Sequence, residues 1–415
     1  MKTRIRSSCS FLIIIFSVLI ENSLLHAQQE SDPSRNRRAI RFFPSSANSH
    51  PINPARPKNS NAHNRDHTEK SIEKALNWLV SRQDDEGFWQ GTHSKVAHTG
   101  LASLSFLSYG VLPTDKTPFG ISLGKGLKWL ANQPDVNGDM RDGDKMYGQA
   151  IGTLALSEAY FLTKNKDLKG KVEKSVAFIA KAQNPESGGW RHQPYPSLTH
   201  SGDLSVTGWI YIALQSAKKS GINIPTSTLS KADDFISAVS SGKAKGLYGY
   251  TKPIPTASMT SVGMLCRILS DKPSTDRERE SAAYLATHPP TPDQKLRGSG
   301  MHHYWFFATF AIILHGGESW TAWHDKLIPI LVTNQESDGS WPPQGPRASK
   351  EGRVVTTAWS ILSMTAAYKC IPILQGERPQ GSTPLKTRKY TAGSTHRYKA
   401  ARPSLRSTGR SSGRR

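Results

Sequence analysis

Two stretches of the sequence share one spacing, Gln83-Asp-Asp-Glu-Gly87-Phe-Trp89 and Gln335-Glu-Ser-Asp-Gly339-Ser-Trp341. A looser copy runs from Gln183 to Trp190, and the stretch from Gln133 to Gly138 keeps only the beginning. Glycine permits the positive φ with which a chain leaves a helix. Glutamine can satisfy unpaired backbone groups at a helix end, and a large aromatic fills the gap between neighbouring helices. We therefore interpret these stretches as structural turns and assign them no catalytic role.

A short helical signature precedes the turns and recurs six times along the chain. Its marker positions, 46 to 57 residues apart, are Trp78, Trp129, Phe178, Phe235, Tyr284 and Ile330. The more continuously apolar segments that follow are 98–110, 147–163, 205–221, 256–271, 301–317 and 354–369. A helix that is apolar around most of its circumference is buried on most sides, whereas an amphipathic helix faces water. The pattern predicts six helical hairpins, each with an amphipathic outer helix and a buried inner helix.

The predicted fold class is all-α, an (α/α)6 toroid of six helix-hairpin repeats that spans residues 67–375. No strand-period segment of comparable length interrupts the repeats. Closing the ring gives the last repeat a partner and removes the exposed end that an open array must cap. An open, curved solenoid is the alternative architecture.

The first 27 residues have the layout of a secretory signal. A basic start is followed by the apolar stretch 11–20 and by Leu25-His26-Ala27, a suitable cleavage site. Ten apolar residues are too few to span a bilayer, which needs roughly 20. We expect a secreted or periplasmic protein that does not span the membrane.

The net charge of +22 is concentrated near the chain ends. Residues 376–415 carry +10 and residues 28–66 carry +4, whereas the repeat region carries only +6. Both end segments are poor in aliphatic periodicity, and we expect them to be disordered. The tail 376–415 could bind an anionic envelope polymer by counterion release, or it could serve only solubility. It has no aromatic residues arranged to stack bases, so we expect no specific nucleic-acid partner.

The Gln-to-Trp turns on six hairpins resemble the repeats of squalene-hopene cyclases and protein prenyltransferase β subunits. The resemblance covers about residues 70–370. Segments such as 204–209, 259–267 and 304–309 are more similar still to exported bacterial repeat proteins of unknown activity. The resemblance implies a terpenoid cyclase-like toroid, but fold analogy alone does not deliver a function.

Squalene cyclases protonate an alkene, and the resemblance implies an acidic Asp-x-Asp-Asp-Thr-Ala motif where an inner helix begins. The best match is the stretch 203–208, in which Asp203 and Thr207 align with the motif. Ser205 and Val206 occupy the two following acid positions, and a serine hydroxyl cannot protonate an alkene. We therefore expect no squalene-type cyclisation.

Prenyltransferases bind zinc through Asp, Cys and His ligands. No Asp-x-Cys occurs here, and Cys266 lies in the middle of an apolar segment. His302 and His303 are adjacent, and adjacent helical residues point about 100° apart, so such a pair rarely binds one ion. The sequence predicts no metal site and no cofactor.

The beginnings of the inner helices are expected to meet at one mouth of the toroid. The predicted ligand-binding residues there are Tyr147, Gln149, Thr207, Trp209, His302, Tyr304, Trp305, Thr357 and Trp359. Aromatic faces can hold a cationic or apolar ligand, but the same side chains also serve helix packing. Both interpretations stay open at this point.

Three residues are candidates for catalysis, Asp203, His98 and Glu158. Asp203 beside a histidine could form an acid/base pair, although an Asp at this position also suits a helix N-cap. Glu158 lies in an apolar inner helix, where burial would raise its pKa, or it could hydrogen-bond to a neighbouring helix.

Three functional hypotheses follow, and whether the protein is an enzyme stays open. The first is a toroid without the inherited catalytic motifs that binds an apolar, isoprenoid-like or peptide-like ligand, or acts as an envelope scaffold. The second is an isoprenoid-processing enzyme with relocated catalytic residues. The third is an envelope-binding protein that uses its basic tail.

Overall fold

The computed structural model describes residues 62–91, 94–142, 145–196, 201–270, 274–292, 300–343, 352–368 and 371–374. The predicted signal peptide 1–27 and the predicted tail 376–415 lie outside these residues. Helix α1 begins at Ala62, inside the segment 28–66 that the sequence predicts to be disordered, while residues 28–61 lie outside the described part.

Twelve α-helices alternate between an outer and an inner ring in the described part of the chain. The outer helices are α1 (Ala62–Ser81), α3 (Pro118–Ala131), α5 (Lys166–Lys181), α7 (Thr226–Ala238), α9 (Thr275–Ala286) and α11 (Gly317–Thr333). The inner helices are α2 (Lys95–Ser108), α4 (Met146–Thr163), α6 (Leu204–Lys219), α8 (Ala257–Ile268), α10 (Met301–His315) and α12 (Gly352–Thr365). A two-residue antiparallel pair, β1 (Ser240–Ser241) with β2 (Leu247–Tyr248), lies between α7 and α8.

The six inner helices form a closed ring, because each packs against the next and α12 packs against α2. Side chains at the helix ends show that the inner helices run parallel. Ser108, at the end of α2, hydrogen-bonds to Thr365, at the end of α12 (Oγ to Oγ1, 2.7 Å). The predicted toroid is therefore confirmed, and the open solenoid is excluded.

The Gln-to-Trp turns hold the outer ring together through one repeated hydrogen-bond pattern. The Gln83 side-chain amide donates to the carbonyl of Gly87 in its own turn (2.8 Å) and to that of Ser122 in the next outer helix (2.9 Å). Gln335 does the same toward Gly339 (2.9 Å) and toward Ser71 in α1 (2.8 Å). The last turn thus reaches the first helix, and the motif quoted at the outset closes the ring.

The turn glycines are required by both conformation and space. Gly87 and Gly339 have φ values of +105° and +94°, which residues with a Cβ rarely adopt. A Cβ on Gly339 would lie 2.6 Å from the carbonyl oxygen of Lys74 in α1, and one on Gly87 would lie 2.7 Å from that of Lys125 in α3. The turns therefore bring neighbouring outer helices into backbone contact.

The two faces of the toroid differ. The face formed by the N-terminal turns of the inner helices, which we call the mouth, holds the Gln-to-Trp turns. The opposite face, the closed end, receives the chain after α12, where a 3-10 turn (Pro372–Leu374) packs against α4 and α6. Ile371 and Ile373 are buried in this C-terminal cap.

Candidate functional site

Asp203 is the N-cap of α6 at the mouth and is completely buried. Its Oδ1 accepts hydrogen bonds from the Val206 amide (2.9 Å) and the Ser205 hydroxyl (2.6 Å). The capping interpretation of Asp203 is therefore confirmed, since such a side chain satisfies a backbone N–H that the helix leaves unpaired.

The second carboxylate oxygen of Asp203 has no hydrogen bond within the described residues. It lies 3.7 Å from the Arg191 Nε, and the Arg191 guanidinium lies over the Tyr250 ring, 5.6 Å from its centroid. Burial, followed by the negative charge of Asp203, raises the pKa of Tyr250. Because an unpaired buried carboxylate oxygen is costly, this atom is a place where a ligand donor would be favoured.

A chain of hydroxyls leads from α4 to Asp203. The Ser205 hydroxyl donates to Asp203, so the Tyr147 hydroxyl must be the donor in its 2.6 Å contact with Ser205 Oγ. Tyr147, a predicted ligand-binding residue, therefore belongs to the same group. We call Tyr147, Arg191, Asp203, Ser205 and Tyr250 the Asp203 cluster.

His98 lies at the mouth but belongs to a different part of it. Its Nδ1 pairs with the carbonyl of Ser94, which can only accept, so this nitrogen carries the proton. The ring lines a pocket of about 460 Å3 at the seam where the sixth repeat meets the first. The lining residues of this seam pocket are Trp78, Arg82, Gln90, Gly91, His98, Asp338, Gly352, Arg353 and Val354.

Glu158 is remote from both groups. It lies eleven residues after Tyr147 on α4, roughly 16 Å further along the helix at 1.5 Å per residue. It accepts hydrogen bonds from the Ser216 hydroxyl (2.6 Å) and from the Ile373 amide of the C-terminal cap (3.3 Å). Burial raises its pKa to about 7. The three catalytic candidates thus do not form one site.

Three of the predicted ligand-binding residues hold the turns in place. The Thr207 and Thr357 hydroxyls accept from the backbone amides of Trp190 (3.0 Å) and Trp341 (3.1 Å). The Gln149 side chain accepts from the amide of Met140 (2.9 Å) and donates to the carbonyl of Gly138 (3.0 Å). Their polar atoms are engaged within the protein, and we place none of the three in the candidate site.

Aromatic side chains cross the axis of the toroid. Trp209 on α6 stacks on Phe306 of α10 with ring centroids 5.2 Å apart and planes 12° apart. Its ring also meets the edge of Phe307 at 4.9 Å. Helices α6 and α10 are not neighbours in the ring, so these contacts span the lumen. We call Trp209, His303, Phe306, Phe307, Phe310 and Trp359 the axial cluster.

The two histidines of α10 point to different surroundings, as helical geometry predicts. His302 packs against Trp305 (5.3 Å), whereas His303 packs against Phe307 (4.7 Å) and Trp359 (5.5 Å). Burial lowers the pKa of each to about 4, so both are neutral near pH 7. The predicted ligand residue Tyr304 instead donates its hydroxyl to the His288 carbonyl (2.6 Å).

Neither chemistry-bearing group contains a metal site. Within the described ranges, no three His, Cys, Asp or Glu side chains are grouped to hold an ion. Among the helices of those ranges, none has both the length and the apolar character needed to cross a bilayer.

Sequence reasoning missed Arg191 and Tyr250 of the Asp203 cluster, and all of the seam pocket except His98. Arg191 directly follows the turn residue Trp190, and Arg353 is the second residue of α12. A signal was present in both cases, a basic residue beside the N-terminus of an inner helix. It could not be used because closure of the ring decides which repeats face each other.

Comparison with known proteins supports the fold. No family profile and no curated protein sequence matches the chain. Among solved structures, it is similar to the type II terpene cyclase MstE from Scytonema, with a TM-score of 0.54 and 14% identity over 74% of this chain and 99% of that one. The chain has the α/α toroid fold of terpenoid cyclase-like proteins.

Two glycoside hydrolases share the toroid. An α-1,6-mannanase of Salegentibacter matches with a TM-score of 0.54 and 9% identity over 72% of this chain and 99% of that one. An unsaturated glucuronyl hydrolase specific for heparin matches with a TM-score of 0.55 and 13% identity over 73% and 97%. At these identities the likeness establishes the terpenoid cyclase-like toroid and leaves its chemistry to the residues described above.

Proposed function

We propose that the protein is a binding toroid that does not cyclise isoprenoids and that holds a peptide-like ligand at the Asp203 cluster. The observation that carries the proposal is Asp203 Oδ2, a buried carboxylate oxygen without a hydrogen bond in the described structure. A ligand N–H or ammonium group would supply the missing donor, and Tyr147 and Tyr250 offer rings and hydroxyls beside it. Tyr250, at 39% exposed, and Arg191 lie partly open to solvent and leave a route to the carboxylate.

Two observations argue against cyclisation of a long isoprenoid. The axial cluster occupies the lumen in which an extended apolar chain would fold. Ser205 and Val206 follow Asp203 where a cyclase needs acids, and Oδ1 of Asp203 is committed to the cap. Among the structural neighbours, MstE binds geranylgeranyl dihydroxybenzoate and the mannanase binds α-1,6-mannotriose. The fold thus accommodates apolar and polar ligands alike.

The first test is native mass spectrometry of the protein purified from its own host, with and without Asp203→Asn. Asparagine keeps an acceptor for the cap but replaces Oδ2 with a donor, so folding should persist while ligand retention falls at least tenfold. Asp234→Asn, an exposed position on α7, is the matched control and should retain the ligand. Equal retention by the Asp203→Asn variant would overturn the proposal.

An enzymatic role is the second candidate, because the Tyr147–Ser205–Asp203 hydrogen-bond chain resembles what proton transfer requires. Purified protein incubated with squalene or with a polyprenyl diphosphate should yield no new terpenoid. Formation of a product that disappears with Asp203→Asn would replace binding with catalysis as the function.

We also propose that the protein works in the cell envelope, where the basic residues 376–415 contact an anionic polymer or help it to act as a scaffold. The charge of this segment and the signal-like residues 1–27 support the proposal. Deleting 376–415 should weaken sedimentation with anionic polysaccharide in a salt-dependent way. Equal binding by the truncated protein would exclude this role for the tail.

A further inference from the structure

The seam pocket is a second cavity, formed where the toroid closes. Trp78 and Arg82 come from α1, His98 from α2, and Arg353 from the first turn of α12. The pocket therefore exists only in the closed ring. Its volume of about 460 Å3 exceeds that of a bare ion and falls within the roughly 300–1,000 Å3 of small-molecule sites.

Positive charge exceeds negative charge among the lining residues. Asp338 is the one acidic residue of the lining, against Arg82 and Arg353. Asp338 Oδ2 accepts from the Trp78 indole (3.1 Å) and lies 3.5 Å from the Arg353 guanidinium. Its Oδ1 accepts from the amide and the hydroxyl of Ser340. The carboxylate is thus saturated by its own neighbours and leaves one guanidinium uncompensated.

Arg82 is that uncompensated group. Its guanidinium lies over the Trp78 ring, 5.4 Å from the centroid, and makes no ion pair with an acidic side chain in the described ranges. A guanidinium held flat against an indole keeps its in-plane N–H groups available, which suits two-point contact with an oxyanion.

Two further features favour an anion in the same pocket. The first three residues of α12, Gly352 to Val354, line it, and a helix N-terminus carries partial positive charge. The His98 ring lies opposite Gly91, where a Cβ would come within 1.8 Å of Nε2. Glycine at 91 therefore makes the room that the imidazole occupies at the pocket wall.

We propose that the seam pocket binds a small acidic molecule, with its oxyanion held by Arg82 and Arg353. The ligand class is a ring-sized compound that carries one carboxylate, sulfate or phosphate. Gln90 and His98 are in place to contact its uncharged part. This site is separate from the Asp203 cluster, and either site can exist without the other.

Calorimetric titration at constant ionic strength tests the proposal with glucuronate, glucose 6-sulfate, glucose 6-phosphate and uncharged glucose. At least one of the three anions should bind and glucose should not, and the preferred anion identifies the oxyanion. Arg82→Gln should weaken that binding at least tenfold. The side chain makes no ion pair to lose within the described structure, so the variant should fold normally.

Arg279→Gln, an exposed position on α9, removes the same charge elsewhere and should leave binding unchanged. Asp203→Asn should also leave it unchanged, which separates this site from the proposed function. Arg353→Gln provides a second lining variant, and circular dichroism confirms folding. Binding of glucose as tightly as the anions, absence of binding by all four probes, or equal losses in Arg82→Gln and Arg279→Gln would overturn the proposal.

Discussion

The mouth and the closed end of the toroid bury ionisable groups of opposite type. Near the mouth, His302 and His303 lie in apolar surroundings that lower the pKa of each to about 4. At the closed end, Glu158 lies beneath the C-terminal cap, and burial raises its pKa to about 7. Burial penalises the charged form of either type, so both ends are neutral inside. The charges available to ligands, those of Arg82, Arg191 and Arg353, lie at the rim of the mouth.

The axial cluster separates these two ends, and removing its central ring should have the largest effect. Trp209→Ala deletes a fully buried side chain with little chance of local collapse, so unfolding free energy should fall by about 3–5 kcal/mol. Urea denaturation measures the change. Val136→Ala, at an 82% exposed position, should stay within about 0.5 kcal/mol. A loss for Trp209→Ala as small as the control's would mean that the ring is not a packing element.

Glu158 should make the closed end sensitive to rising pH. Its pKa is about 7 in the folded protein against an ordinary 4.5, so its favourable contribution is complete below about pH 4.5 and is lost as pH rises through 7. The shift corresponds to about 3 kcal/mol, at roughly 1.4 kcal/mol for each pH unit. Urea midpoints between pH 4.5 and 7.5 should fall less steeply in Glu158→Gln than in the wild type. Parallel curves would contradict a neutral buried Glu158.

His303 should give the opposite pH dependence. Its pKa is about 4 in the folded protein against an ordinary 6.5, so its contribution is complete above pH 6.5 and is lost as pH falls through 4. The limit is again about 3 kcal/mol. His303→Gln should flatten the acid side of the stability profile without changing the side that Glu158 controls. If His303→Gln alters the wild-type slope only above pH 6.5, this assignment fails.

Gln335→Ala should have the smallest effect of the four and should act at the mouth. It removes donors from the carbonyls of Ser71 and Gly339, worth about 1–2 kcal/mol. Hydrogen exchange should quicken in α1 and in the turn before α12 more than in the cap at 371–374. Gln133→Ala, in a turn that keeps only the beginning of the motif, is the comparison variant and should disturb α1 less.

Much of the fold could be predicted, because the inner helices carry a local and repeated signal. The predicted segment 147–163 is observed as Met146–Thr163, and 301–317 as Met301–His315. The raised pKa of Glu158 was also predictable, since a carboxylate in a continuously apolar helix is desolvated in any such fold. Asp203 could be placed at a helix start for the same local reason.

The partners of these residues could not be predicted. Trp209 meets Phe306 across a lumen, and sequence spacing carries no information about contacts between helices that are not neighbours. Thr207 and Thr357 matched an expected ligand site in position and chemistry, yet their hydroxyls hold Trp190 and Trp341. A hydroxyl at a helix start serves a turn or a ligand equally well until the turn is in place.

The sequence by itself determined the repeats, their alternation and the turns, because hydrophobic period, glycine conformation and helix capping act over a few residues. Only the tertiary structure decided that Gln335 reaches Ser71, that Arg82 and Arg353 share a pocket, and that Asp203 keeps one unpaired oxygen. Those relations join residues distant along the chain. They arise when the ring closes, and it is the closure that turns a repeated pattern into specific sites.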